Sequence, residues 1–288
     1  MMTRRRLVAS VTACGLAPSL HAVHARSAGI APDRSEGLPA RLSPRPLICA
    51  HRGWLDPEQA ENDLAQIGRT TDAGPFMVEV DLAETRDGTI VLMHDQTVDR
   101  TTTGHGAVAE LTRREIDGLR LRDRRGVTDE GVPGFDALLR WAAGTPPALL
   151  MLDIKAVGPE RVARLVRDAG LEDRAVLLTF SADNAARAFA GAGRTLVSCL
   201  VKGEPDLSTY AAMAGGRRFA AYIPRTAPPD LFAAAHRRGC VVISDVLTRD
   251  ALMDALSAAE IAAFVRTRPV DILVTNHPRA TLGAVRKG

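Results

Sequence analysis

Residues 148–155 read Ala148-Leu149-Leu150-Met151-Leu152-Asp153-Ile154-Lys155, an unbroken apolar run that stops on charged side chains. A strand with one wet face alternates apolar and polar residues, so a continuous run predicts a strand covered on both faces, as in a parallel sheet wrapped by helices. Further strands are predicted at 47–50, 77–82, 90–93, 175–180, 195–201, 219–223, 240–244 and 271–275, and most are equally continuous. Amphipathic stretches rich in Ala, Leu and Arg predict helices at 59–72, 135–143, 159–169, 182–190, 229–238, 249–257 and 278–286. Several carry start signals: Pro159 before Glu160, Ser181 with Asp183, and Pro228-Pro229-Asp230. This repeated βα rhythm predicts an α/β fold of the (β/α)8 TIM-barrel type. The run Ile90-Val91-Leu92-Met93 follows an Asp87-Gly88 turn, which makes 79–94 a hairpin excursion after strand 2 rather than a barrel unit. A doubly wound sheet would carry a glycine-rich phosphate loop after its first strand, and the sequence has none there.

The chain has 288 residues, enough for one large core or two small ones. Hydrophobic residues at 46% and charged residues at 25% exclude a disordered or collagen-like chain. Lys plus Arg number 37 against 34 Asp plus Glu, and the +3 excess is matched by the cluster Arg4-Arg5-Arg6. A charge-balanced body argues against nucleic acid as a partner, since phosphate-backbone binding needs a concentrated basic face. Aromatic residues at 4% argue equally against a base-stacking platform.

That arginine cluster, the apolar stretch Leu7 to Leu20 and the small-residue site Val23-His24-Ala25 predict a signal peptide over 1–25. A linker over 26–46 and one barrel domain over 47–288 follow. The apolar stretch holds Ser10, Thr12, Gly15 and Pro18, too many interruptions for a stable membrane span. The expected destination is the periplasm or the exterior. The consecutive arginines also permit twin-arginine export, and Val11-Thr12-Ala13-Cys14 offers the alternative of a lipoprotein anchored through Cys14. Cys49, Cys199 and Cys240 sit in apolar runs at no metal-like spacing and are expected to be buried.

In a βα barrel the C-terminal strand ends carry the chemistry. Here those ends read His51-Arg52-Gly53, Glu79-Val80-Asp81, His94-Asp95, Asp153-Ile154-Lys155 and Thr275-Asn276-His277. Glu79 and Asp81 are two apart on a strand and so point the same way, inward if Val78 and Val80 face the helices. Two converging carboxylates need a cation between them, and Asp153 would add a third oxygen. Three carboxylates without thiolates favour a hard divalent ion, Ca²⁺ or Mg²⁺, over zinc. His51 and His94 can move protons near neutral pH, while Arg52 and Lys155 supply fixed positive charge for an anionic group. Together these residues describe acid/base attack on a phosphoryl substrate; the plainer reading pairs Arg52 and Lys155 with the carboxylates as structural ion pairs.

At these residues the chain resembles the glycerophosphodiester phosphodiesterase family, a barrel of the phosphatidylinositol-specific phospholipase C type, over roughly 47–280. His51-Arg52-Gly53 matches its H-R-G opening, Glu61-Asn62 its P-E-N-T segment and Glu79-Val80-Asp81-Leu82 its E-x-D-V. Asp87-Gly88-Thr89-Ile90-Val91-Leu92-Met93-His94-Asp95, Asp99-Arg100-Thr101-Thr102-Thr103-Gly104, Leu152-Asp153-Ile154-Lys155 and Thr275-Asn276-His277-Pro278 follow in the family's order. The resemblance implies hydrolysis of glycerophosphodiesters, small-molecule substrates, to glycerol 3-phosphate and an alcohol. It implies His51 and His94 as the acid/base pair, a divalent ion on Glu79, Asp81 and Asp153 with Glu61 close by, and phosphate held by Arg52 and Lys155. Ala60 and Asp63 replace the usual Pro and Thr, which adds a carboxylate near the expected ion. Asp153 is one methylene shorter than the usual Glu, and Ser244-Asp245-Val246 stands where the family has an aromatic beside the alcohol. Trp54 is expected to pack against a loop. Two alternatives accompany this reading: a head-group phosphodiesterase like sphingomyelinase D, which needs an apolar membrane-facing lip, and a non-catalytic phosphate-binding barrel.

Overall fold

The computed structural model describes residues 37–42, 45–248 and 256–287. The signal peptide, the Cys14 anchor and most of the linker lie outside the described residues, as do positions 249–255 of the helix expected at 249–257. The strands are β1 (Leu47–Ala50), β2 (Met77–Glu84), β3 (Ile90–Leu92), β4 (Arg122–Asp123), β5 (Gly126–Val127), β6 (Leu149–Ala156), β7 (Ala175–Thr179), β8 (Leu196–Leu200), β9 (Ala220–Tyr222), β10 (Val241–Asp245) and β11 (Ile272–Thr275). The α-helices are α1 (Leu38–Arg41), α2 (Leu64–Ala73), α3 (Arg113–Asp117), α4 (Phe135–Ala143), α5 (Pro159–Asp168), α6 (Ala182–Gly191), α7 (Glu204–Ala214), α8 (Pro229–Arg237), α9 (Ala258–Thr267) and α10 (Pro278–Lys287).

β1, β2 and β6 to β11 are parallel and close on themselves: β1 pairs with β2 through Cys49 and Met77, and with β11 through Leu47 and Ile272. The result is the expected (β/α)8 barrel. β3 runs antiparallel to β2, with Leu82 opposite Leu92, so the hairpin is an excursion as the Asp87-Gly88 turn predicts. The excursion carries β4, β5 and α3 and a small core of its own around Val98, Ile116 and Leu121.

Alternation along each strand sorts the side chains. Leu149 and Met151 fill the barrel interior with Met77, Ile243 and Ile272, while Leu150 and Leu152 face the helices beside Val78 and Val80. Glu79, Asp81 and Asp153 fall on the inward parity, above that apolar plug. Leu38 of α1 packs onto the same inner cluster from the strand starts, so the stretch assigned to a linker contributes a buried residue. All three body cysteines are buried and unpaired. Among the described residues no helix is long and apolar enough to cross a membrane.

One helical expectation is corrected, and two helices form that were not expected. α2 begins at Leu64 instead of 59, because Asp63 caps it by accepting from the amides of Ala65 and Gln66. α7 forms where no helix was expected. α9 starts after Ser257, whose hydroxyl and the Glu260 carboxylate cap each other's backbone.

Candidate active site

The chain leaves β1 through a tight turn in which Arg52 takes a left-handed backbone, φ 51°. That conformation aims the Arg52 amide at Glu79, donating to Oε2 at 2.7 Å, and turns its carbonyl to the amide of Asn62 at 2.9 Å. Gly53 follows with φ 73°, and a Cβ there would meet Ile67 Cγ1 at 2.5 Å, so the H-R-G turn needs its glycine. Asn62, left-handed at φ 55°, donates from Nδ2 to Asp81 Oδ2 and accepts from the Asp81 amide, both at 3.0 Å.

Glu79, Asp81 and Asp153 are buried, and one ligand oxygen from each lies within 4.8 Å of the others. Burial, then the charges of Asp81 and Asp153, pushes the Glu79 carboxyl well above its ordinary range. Burial also raises Asp153, although Lys155 opposes it. For Asp81 burial is outweighed by Lys155, His94 and Arg52, and its pKa falls. Lys155 Nζ bridges Asp81 Oδ1 at 3.1 Å and Asp153 Oδ2 at 2.9 Å. Three converging carboxylates against one bridging ammonium leave charge that a hard divalent cation would balance, and the all-oxygen donor set fits Ca²⁺ or Mg²⁺.

Glu61, expected near that ion, stands outside the three-carboxylate group. Its Oε2 accepts from Arg52 Nη1 and Arg100 Nη1, each at 2.9 Å, and its Oε1 accepts from Arg100 Nη2 at 2.7 Å. A carboxylate held between two guanidiniums is neutralised without a metal. Asp63 is likewise turned away, onto the start of α2.

His51 and His94 line one cleft of about 480 Å³ with Arg52, Trp54, Arg100 and Asn276. His51 Nδ1 lies 2.8 Å from Asn276 Oδ1; an amide oxygen can only accept, so Nδ1 donates and Nε2 carries the lone pair. Burial and the neighbouring Arg52 pull the His51 pKa down to about 4. His94 Nδ1 lies 2.7 Å from Asp95 Oδ1. Hydrogen bonds from Arg100 and then His94 hold the Asp95 carboxyl well below its usual range, so Asp95 is ionised and accepts from His94. Trp54 is buried, its indole donating to the Gln59 carbonyl at 3.0 Å with its ring edge-on to His51, which is the packing role expected of it. Across the mouth, Tyr222 donates to Asp245 Oδ2 at 2.8 Å and meets Phe180 edge to face. A second cavity, about 320 Å³, opens at the strand-start end against Leu38 and Leu42 and holds none of these groups.

Sequence reasoning gave no role to Arg100, Asn62 or Asn276. Each was in view: Arg100 within Asp99-Arg100-Thr101-Thr102, Asn62 beside Glu61, and Asn276 at the end of the last strand.

The sequence profile of the glycerophosphoryl diester phosphodiesterase family matches residues 51–280. A glycerophosphodiester phosphodiesterase from Caldanaerobacter subterraneus subsp. tengcongensis is 31% identical over 144 residues, which is 47% of this chain and 58% of that protein. Human glycerophosphodiester phosphodiesterase 1 is 43% identical over 98 residues, 32% of this chain and 29% of that protein. The chain thus spans less than two thirds of these relatives. A glycerophosphoryl diester phosphodiesterase structure from Parabacteroides distasonis superposes with TM-score 0.74 at 28% identity, covering 84% of this chain and 87% of that one. A phosphodiesterase from Oleispira antarctica, solved with its product sn-glycerol-3-phosphate, shares the fold at TM-score 0.64 and 16% identity over 84% of this chain and 97% of that one.

Proposed function

The chain belongs to the glycerophosphoryl diester phosphodiesterase family, and from that premise we propose that it hydrolyses glycerophosphodiesters to glycerol 3-phosphate and an alcohol. The observation that carries this is the meeting, at one barrel mouth, of a three-carboxylate group with two histidines, one held by an amide oxygen and the other by a carboxylate. Glu79, Asp81 and Asp153 would hold a divalent cation, Ca²⁺ or Mg²⁺, which when bound supplies positive charge beside the phosphoryl oxygens. Arg52 Nη1 and Lys155 Nζ, which rest on the Glu61 and Asp153 carboxylates, would turn toward the phosphate and steady the charge that builds on it.

The histidines divide the proton work. His51 is neutral with Nε2 unprotonated, which suits a base taking the proton of the glycerol 2-hydroxyl as that oxygen attacks phosphorus. His94, its Nδ1 held by the Asp95 carboxylate, suits the acid that protonates the departing alcohol. Water then opens the cyclic glycerol phosphate with the two roles exchanged. Tyr222, Asp245 and Phe180 offer hydroxyl partners and an apolar edge to the glycerol. Among the described residues Val127 and Phe180 are the exposed large hydrophobics, so these residues form no apolar lip of the kind the alternative needs.

The test measures sn-glycerol 3-phosphate released from glycerophosphocholine with and without chelator. Chelation is expected to abolish release, and His51→Ala and His94→Ala to lower kcat by about 10²- to 10⁴-fold each. Full activity in both variants sinks the mechanism; no cation-dependent turnover of any diester points to a binding barrel instead.

A further inference from the structure

Arg100 is the most heavily tied side chain in the cleft, and the reaction scheme leaves it without a task. It comes from the excursion, four residues before Gly104, and reaches back to two carboxylates that serve different partners. Nε donates to Asp95 Oδ2 at 2.6 Å and Nη2 to Asp95 Oδ1 at 3.0 Å. Nη1 and Nη2 donate to the two oxygens of Glu61 at 2.9 and 2.7 Å. Glu61 is 6% exposed and also accepts from Arg52, while Asp95 accepts from His94. The guanidinium therefore joins the phosphate-side arginine to the candidate acid through two carboxylates, with a fork on each.

Two consequences follow from the chemistry of that arrangement. Both Asp95 oxygens are engaged by Arg100, so the carboxylate has one rotameric position and offers Oδ1 to His94 Nδ1 at a fixed angle. A carboxylate so paired stays ionised, and the imidazole beside it keeps its Nδ1 proton and directs Nε2 away from Asp95. The Glu61 side has a different result: Arg52 keeps its own bond to Glu61 Oε2 and its backbone hold on Glu79 whatever Arg100 does.

We propose that Arg100 is a positioning residue for the leaving-group step, acting through Asp95 on His94 and not through Glu61 on the phosphate. This rests on the hydrolytic reading above. In that step the bond from phosphorus to the departing oxygen breaks, its electron pair stays on that oxygen, and the proton on His94 Nε2 moves to it; the glycerol hydroxyl proton goes to His51. A departing alkoxide such as choline needs that proton. A p-nitrophenolate ion leaves without it. Removing a residue that acts on the acid must therefore harm the first substrate and spare the second, whereas loss of phosphate grip or of folded structure harms both alike.

The experiment compares kcat/KM for glycerophosphocholine and for the p-nitrophenyl ester of glycerol 3-phosphate, in the full chain with Ca²⁺ or Mg²⁺ supplied. Arg100→Gln is expected to lose about 100-fold on the choline ester and no more than about threefold on the nitrophenyl ester. Activity on the nitrophenyl ester also reports that the variant folds. Asp95→Asn should show the same split, and Arg100→Lys should fail to restore the choline ester, because one ammonium cannot fork onto two carboxylates. The double variant His94→Ala with Arg100→Gln should lose no more than His94→Ala alone, as expected when one residue works through the other. Equal losses on the two esters, or additive losses in the double variant, overturn the proposal while leaving the hydrolytic reading intact. Wild-type protein that hydrolyses neither ester overturns both.

Discussion

Asn276 decides what His51 can do. An amide oxygen holds the Nδ1 proton without adding charge, and burial with the Arg52 charge then keeps the ring neutral down to about pH 4. A general base works unprotonated, so its activity is present above its pKa and is lost as pH falls through it. With the cation saturating, the acid limb of kcat/KM that belongs to His51 is expected near pH 4, falling about tenfold per unit below it. Asn276→Asp places a carboxylate on Nδ1, favours the imidazolium and should move that limb upward by about one to two units. A pH profile of wild type and variant measures this. An unmoved limb would remove His51 from the base role.

At the scale of elements, one carboxylate sets where a helix starts and so where the site loop ends. Asp63 accepts from Ala65 N at 3.0 Å and Gln66 N at 3.3 Å, which stops α2 from extending back over Glu61 and Asn62. Asp63→Ala should cost about 1 kcal/mol in a urea unfolding midpoint, and Asp63→Asn, which can still accept, should cost a few tenths. Equal costs would mean that the cap is not what Asp63 provides. The same feature explains what could be read from the sequence. Strands were legible because burial on both faces writes itself as continuous Val, Ile and Leu, and the hairpin because Asp87-Gly88 supplies the turn. α2 was set too early because 59–63 continues an acceptable helical composition, and the left-handed Asn62 and the Asp63 cap that break it leave no mark in that composition. α7 escaped notice because its buried face is Leu207, Tyr210 and Ala214, a thin stripe among Ser, Thr and Ala. α9 had a readable start in Ser257-Ala258-Ala259-Glu260, a capping box that the expected 249–257 helix overlooked. In the site, the shared face of Glu79 and Asp81 was legible from strand period, and its inward direction followed once Val78 and Val80 were set against the helices. The pairing of Glu61 with Arg100 was not, since it joins residues 39 apart through an excursion whose path no local pattern dictates.

The whole barrel brings the acidic group together across the β2–β6 pair, where Asp81 lies opposite Asp153, and the cost of that gathering falls on folding. Glu79 and Asp153 have pKa values raised by burial in the native chain. The cation-free native protein then holds protons that the unfolded chain has released, so its stability from these groups is present at low pH and is lost as pH rises above the ordinary carboxyl values, 4.5 for Glu79. A divalent cation bound to the ionised group reverses this: it must displace those protons, binds more tightly as pH rises, and stabilises only the folded chain. At a concentration 100 times Kd the gain is about 2.7 kcal/mol, which for a domain of this size raises Tm by roughly 5–10 °C. Thermal melts at one fixed Ca²⁺ or Mg²⁺ concentration should therefore show a larger increment over the chelated protein at pH 8 than at pH 5, with Glu79→Gln flattening the difference. An increment equal at the two pH values, or none at either, would mean that the three carboxylates do not take up the cation.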